Sequence, residues 1–178
     1  MYSEKRLIRK IKDGSLFIYP TDTIYGLGCN ALNQKAVEKL KRLKKRDLKK
    51  PLSIIAPSKK WILKNTITKK AFLDKYLPGK YTLILKKKNP SFLTWVSSNQ
   101  TMGIRIPKNF FSNLVRKADV PFITTSVNLS GEKPAVRLED IPKKIMEKVD
   151  LIVLGKKNEK LSSKPSTIIL ENGEKLKR

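Results

Sequence analysis

Apolar and polar positions along the 178 residues follow two rhythms. Residues 4–12 place Leu7, Ile8 and Ile11 on one face, the spacing of a short helix, with Gly14 as its stop. Asn33 suits the N-cap of a helix to about Lys45, whose stripe is Ala36, Val37, Leu40 and Leu43. Helical spacing recurs over 59–77, ending at Pro78-Gly79, over NFFSNLVRKA, and over 138–149. Between these lie short apolar runs: SLFIYP, LSIIA, YTLILK, GIRIP, VPFITTS, DLIVLG and STIIL. They read as strands, and Asn172-Gly173 as a tight turn into a last short one. Such alternation predicts an α/β fold, one domain over 1–178, with helices covering a mostly buried mixed sheet. Residues 155–165, GKKNEKLSSKP, are the one long polar connection and a candidate loop over a site.

Composition narrows the function classes. No apolar run reaches about 18 residues, so no membrane span is expected. The N-terminal MYSEKRLIRKIKDG is basic but has neither an apolar core nor a cleavage site, so no secretory signal is expected. The lone Cys29 cannot form an internal disulfide, and cytoplasmic residence follows as the expectation. Forty Lys and Arg against 15 Asp and Glu give +25, a charge that attracts polyanions. Thirty-two of the cations are lysines spread along the chain, which biased composition also produces, so the eight arginines carry more information. The absence of histidine removes Ser-His and Cys-His nucleophilic pairs and the commonest transition-metal ligand. No carboxylate pair forms a metal-ligand motif, so no protein-held metal is expected; a divalent ion would arrive on a phosphate-bearing ligand.

Polar residues cluster at three strand ends. In YPTDTIYGLG, Asp22 and the threonines could simply close a turn, or their hydroxyls and free N–H groups could bind a small ligand beside Gly26 and Gly28. In LKKRDLKKPLS, Lys44 and Arg46 could serve the helix dipole, or together receive a polyphosphate. Arg105 in GIRIP faces away from both isoleucines, toward solvent or toward a carboxylate. The third end, TTSVNLSG, puts five small hydrogen-bonding side chains into seven residues. Ser126 and Asn128, two apart, share a side in extended chain and could orient phosphate or carbamate oxygens; a Ser/Asn turn explains only one or two of the five.

Taken in order, YPTDTIYGLGCNA, LKKRDLKKPLSI, PGKYTLIL, MGIRIP, TTSVNLSGEKPA and KPSTII resemble the YrdC family of threonylcarbamoyl-AMP synthases, over nearly the whole chain. The resemblance implies a twisted mixed-sheet α/β fold with a concave basic surface. It also implies a nucleotidyl transfer in which L-threonine, bicarbonate or CO2, and ATP carrying Mg2+ give threonylcarbamoyl-adenylate and pyrophosphate. The product would pass to partner proteins that modify the adenosine next to the anticodon of tRNAs, with direct tRNA contact an open possibility. Lys44, Arg46, Ser126 and Asn128 map onto the catalytic set. ATP would meet Arg46, Lys50, Ser126, Ser166 and the final Arg178; threonine would meet Thr23, Arg105 and Asn128. Asp47, Lys80 and Val127 depart from the family's usual residues without removing a proposed contact. No additional C-terminal domain is visible, so the chain is similar to the short bacterial form. An RNA-binding module without catalysis, or a paralogue with different carbamoyl chemistry, stays open as an alternative.

Overall fold

A computed structural model describes residues 2–154, 161, 162 and 164–176. In chain order the elements are α1 (Glu4–Lys12), β1 (Phe17–Pro20), β2 (Tyr25–Gly28), α2 (Gln34–Leu43), β3 (Ser53–Ile55), α3 (Lys59–Asn65), β4 (Thr66–Ile67), α4 (Lys70–Tyr76), β5 (Tyr81–Lys87), β6 (Thr101–Arg105), α5 (Phe110–Ala118), β7 (Phe122–Ser126), a 3-10 turn (Leu138–Asp140), α6 (Lys143–Met146), β8 (Leu151–Ile152), β9 (Thr167–Ile169) and β10 (Lys175–Leu176). The strands form one mixed sheet in the order β10-β9-β5-β6-β3-β7-β2-β1-β8, with β4 also on β5. The α/β expectation therefore holds.

Local sequence accounts for most boundaries. Asn33 accepts from the Ala36 N–H at 3.1 Å and Asn109 from that of Ser112 at 3.1 Å, capping α2 and α5. Three expectations need correction. The 59–77 helix is two helices, because β-branched Thr66 and Ile67 leave the helical path to pair with Lys87 and Lys86. The 138–149 helix shrinks to a 3-10 turn and one short helix, since Pro142 cannot sit within a helix interior. The Tyr25–Gly28 stretch, expected within a loop, is a strand pairing with both β1 and β7. Residues 155–160 and 163 of the polar connection lie outside the described residues.

Strand alternation sorts the core onto the two faces. Ile18, Leu27, Ile54, Ile104 and Ile123 pack against α2, α3 and α4 in the larger cluster. On the other face Phe17, Tyr19, Ile55 and Phe122 pack beneath α1 and α5. That second face does not stay apolar. Further along the same strands it carries Gly26 opposite Ser126, and a row in which Ser53 sits opposite both Thr124 and Gly103. Here, at the centre of the sheet, lies a trough of small polar residues.

Candidate functional site

Hydroxyls line the trough: Thr21 and Thr23 from the loop after β1, Ser53 from β3, Thr82 from β5, Thr124 and Ser126 from β7, and Ser166 before β9. Gly103 keeps its floor low, since a Cβ there would stand 2.5 Å from the Ser53 Oγ. The Thr82 and Ser166 hydroxyls hydrogen-bond at 2.8 Å and join β5 to the segment entering β9. The trough holds about 30 Å³, room for little more than a water, so a larger ligand would extend beyond it.

One wall is ionic. Arg105 is only 6% exposed, and its Nη2 donates to Asp22 Oδ1 at 2.5 Å while Nη1 donates to Thr23 Oγ1 at 3.4 Å. The Lys108 N–H donates to the second Asp22 oxygen at 2.9 Å, which ties the loop to the end of β6. Burial pulls the Arg105 pKa down, and the Asp22 carboxylate opposes that pull. The Arg105 Nε is buried and has no partner among the described residues. Arg105 thus does hold a carboxylate, and in this structure the carboxylate is that of Asp22.

The opposite wall is fixed by the end of α2. Lys45 adopts the left-handed conformation, φ 49°, and closes a Schellman motif: Arg46 N–H donates to the Lys41 carbonyl and Lys45 N–H to that of Arg42, both at 2.9 Å. The reversal turns Lys44 inward, where it is 2% exposed. Its ammonium donates to the Ser126 carbonyl, to the Asn128 carbonyl at 2.8 Å and to the Asn128 carboxamide oxygen at 3.0 Å. The Ser126 hydroxyl donates to the same carboxamide oxygen at 2.6 Å. Burial, reinforced by the nearby Arg46 charge and opposed by Glu132, pushes Lys44 down to about 7. All three ammonium protons are thereby spent on holding the segment that leaves β7.

Lys44, Ser126 and Asn128 are therefore brought together, as are Thr23 and Arg105, and Ser126 and Ser166 both face the trough. Arg46 stands apart from these contacts: its Nη2 donates to the Pro51 carbonyl at 2.8 Å, and its buried Nε has no partner among the described residues. Lys50 lies on the exposed turn beyond it. Arg178 lies outside the described residues. Sequence inspection missed Ser53 and Thr82 as lining and Asp22 as the ion-pair partner of Arg105. Asp22 did leave a signal, as the one charged side chain between an apolar strand and two glycines. Among the described residues no three Cys, Asp or Glu side chains gather to hold a metal, and no helix is long and apolar enough to cross a membrane.

Comparison with known proteins places this geometry in context. The model of the Sua5/YciO/YrdC family, described as "Telomere recombination", matches residues 9–177. A Methanocaldococcus jannaschii protein provisionally named threonylcarbamoyl-AMP synthase is similar at 41% identity over 176 residues, 96% of this chain and 81% of that protein. A Pseudoalteromonas atlantica threonylcarbamoyl-AMP synthase is 30% identical over 148 residues, 78% of each chain. The crystal structure of P. abyssi Sua5 complexed with L-threonine is similar in fold with a TM-score of 0.81 at 25% identity. It is covered for 52% of its length by 96% of this chain, which thus spans about half of that protein.

Proposed function

The chain belongs to the Sua5/YciO/YrdC family, and we propose that it makes threonylcarbamoyl-adenylate from L-threonine, bicarbonate or CO2, and ATP, releasing pyrophosphate. One observation carries this reading. The Lys44-anchored Ser126–Asn128 segment and the Arg105–Thr23 wall flank a single hydroxyl-lined trough.

Threonine enters with its carboxylate toward the Arg105 charge, which it would share with Asp22, and its side chain toward Thr23. Its amine, uncharged, adds to CO2; the C–N bond forms and the amine proton is lost to solvent. A carbamate oxygen then attacks the α-phosphorus of ATP, and the bond to the β-phosphate oxygen breaks to expel pyrophosphate. Attacker and target are both anionic, so the protein must lower their repulsion before it aligns them. Arg46 and the Lys44 field supply positive charge, aided by Mg2+ carried in on the triphosphate. Lys50 extends that charge along the nucleotide. Ser126 and Ser166, turning their hydroxyls from Asn128 and Thr82, and the second amide proton of Asn128, whose first goes to the Glu132 carbonyl, supply neutral donors that orient oxygen atoms without binding product too tightly. Neighbouring cations also lower the amine pKa and so raise its nucleophilic fraction. The adenylate, made in the cytoplasm, passes to proteins that modify the adenosine beside the anticodon.

The test is pyrophosphate release from ATP, Mg2+ and bicarbonate, with and without threonine. Threonine-dependent release is expected, together with its loss in Arg46→Ala at an unchanged melting temperature. Salt-sensitive RNA binding with no threonine-dependent turnover would instead make the chain a binding module.

A further inference from the structure

A second concavity, far roomier than the trough at about 700 Å³, lies between α2 and α6. Its floor holds Leu43 and Leu129, both half-buried, and lysine stems extend the apolar surface around them. Its rim is strongly basic. Among the described residues Lys35, Lys45, Lys144 and Lys148 are exposed and have no carboxylate within ion-pair distance, whereas Arg42 is paired with Glu38 at 3.8 Å. Two of its walls continue from site residues: Lys45 follows Lys44 and Leu129 follows Asn128. The Ser130 N–H donates to the Lys44 carbonyl at 2.9 Å and locks the two together.

We infer that this groove docks an acidic amphipathic helix of a partner protein, its apolar stripe on Leu43 and Leu129 and its flanking carboxylates on the four lysines. The pattern fits helix-in-groove recognition, in which apolar anchors seat between complementary charges. A nucleic acid fits worse. The groove has no aromatic side chain for a base to stack on, its leucines would stay uncovered, and Glu38 and Glu147 on its lining repel phosphates. An acidic helix can avoid both carboxylates by presenting its own basic or neutral side chains there. Docking here would bring a partner to the back of the Lys44–Asn128 contact, beside the site yet outside the trough.

The probe is a helix-stabilised acidic peptide of about 16 residues, with Leu at i, i+4 and i+7 and glutamates on both flanks. It is titrated into the 15N-labelled full chain. Saturable amide shifts are expected at Leu43, Lys45, Leu129 and 144–148, with a Kd of about 10–100 µM. Affinity should fall about tenfold in the doubly exposed Lys144→Glu/Lys148→Glu variant and on raising salt from about 50 to about 300 mM. Leu129→Glu should abolish binding. Threonine-dependent pyrophosphate release should persist in the Lys144→Glu/Lys148→Glu protein, so the outcome does not depend on the proposed activity. The inference is overturned by any of three results: no saturable shift below about 1 mM peptide, shifts confined to the trough, or tRNA moving the same amides and displacing the peptide.

Discussion

The Lys44 ammonium donates to the Asn128 carboxamide oxygen at 3.0 Å, across 84 residues of sequence. With its bonds to the Ser126 and Asn128 carbonyls, this makes Lys44 the peg on which the segment after β7 hangs. A lysine read as a phosphate receiver is therefore first a device for shaping the loop that holds Ser126 and Asn128.

Replacing Lys44 by Met keeps the stem and removes the peg. Three buried acceptors lose their donor, and the Ser126 hydroxyl keeps only a loosened carboxamide. Adenylate formation is expected to drop about 100-fold, the usual loss for one preorganised charged donor. Threonine-dependent pyrophosphate release measures it; a variant retaining wild-type turnover would show that the peg is dispensable.

The same substitution has a signed pH consequence. Lys44 sits near 7 in the fold against 10.5 when unfolded, because burial disfavours its charge. Between those values the unfolded chain binds more protons, so this group makes stability rise with pH through that window. Below about 7 both states are protonated and the contribution is flat. Urea unfolding from pH 6.5 to 10 should therefore show wild type gaining on Lys44→Met as pH increases. A gap that narrows instead would contradict the assignment.

Asp22 and Arg105 form a buried ion pair, each side chain 7% exposed. Asp22→Asn leaves an uncompensated guanidinium, and removing one partner of such a pair typically costs about 3–5 kcal/mol. The double variant Asp22→Asn/Arg105→Met removes both charges and should be less destabilised than the single change. Chemical denaturation of wild type, both single variants and the double variant decides; a loss in the double variant equal to the sum of the two single losses would mean the pair has no coupling.

Much of the fold was legible where one segment settles its own structure. The N-cap Asn33 and the helical spacing of α1, α2 and α5 needed no distant partner. β2 was missed because its glycines look like a loop. Their role is close approach: a Cβ on Gly28 would stand 1.9 Å from the Ile123 carbonyl oxygen of the adjoining strand. Within the site, the dense TTSVNLSG run signalled itself, and motif resemblance singled out Lys44. Ser53 and Thr82 did not, since a lone hydroxyl in an apolar strand is ordinary. Only the strand registers bring them together: Ser53 stands opposite both Gly103 and Thr124, and Thr82 lies two residues along β5 from Ile84, the partner of Gly103. The Asp22–Arg105 pair joins residues 83 apart, a relationship no local pattern encodes.

Lys45 is the one strained element of the α2 turn, a non-glycine residue at φ 49°. The left-handed conformation costs an ordinary residue about 1–2 kcal/mol, partly offset by the extra unfolded-state entropy of glycine. Lys45→Gly should stabilise the protein by about 0.5–1 kcal/mol and leave the Lys44 contacts in place. Thermal melting tests this, and a lowered melting temperature would show that the exposed Lys45 side chain contributes more than its backbone costs.

Gly103 offers the most direct test that the trough is where chemistry occurs. It lies between Ser53 and Thr82, which both line the trough, and its φ is not in the left-handed region that penalises a side chain. An added methyl would stand 2.5 Å from the Ser53 Oγ and 3.4 Å from the Thr82 Cγ2. The Ser53 hydroxyl can rotate away, so the fold should survive at a cost of about 1–2 kcal/mol. Rotation, however, pushes an atom into a trough that admits only about 30 Å³. Gly103→Ala should therefore lower kcat/KM for threonine-dependent pyrophosphate release by about tenfold while unfolding remains cooperative. Unaltered kinetics in a folded Gly103→Ala protein would mean that substrates do not reach the floor, and the site would have to lie nearer the Arg46 turn.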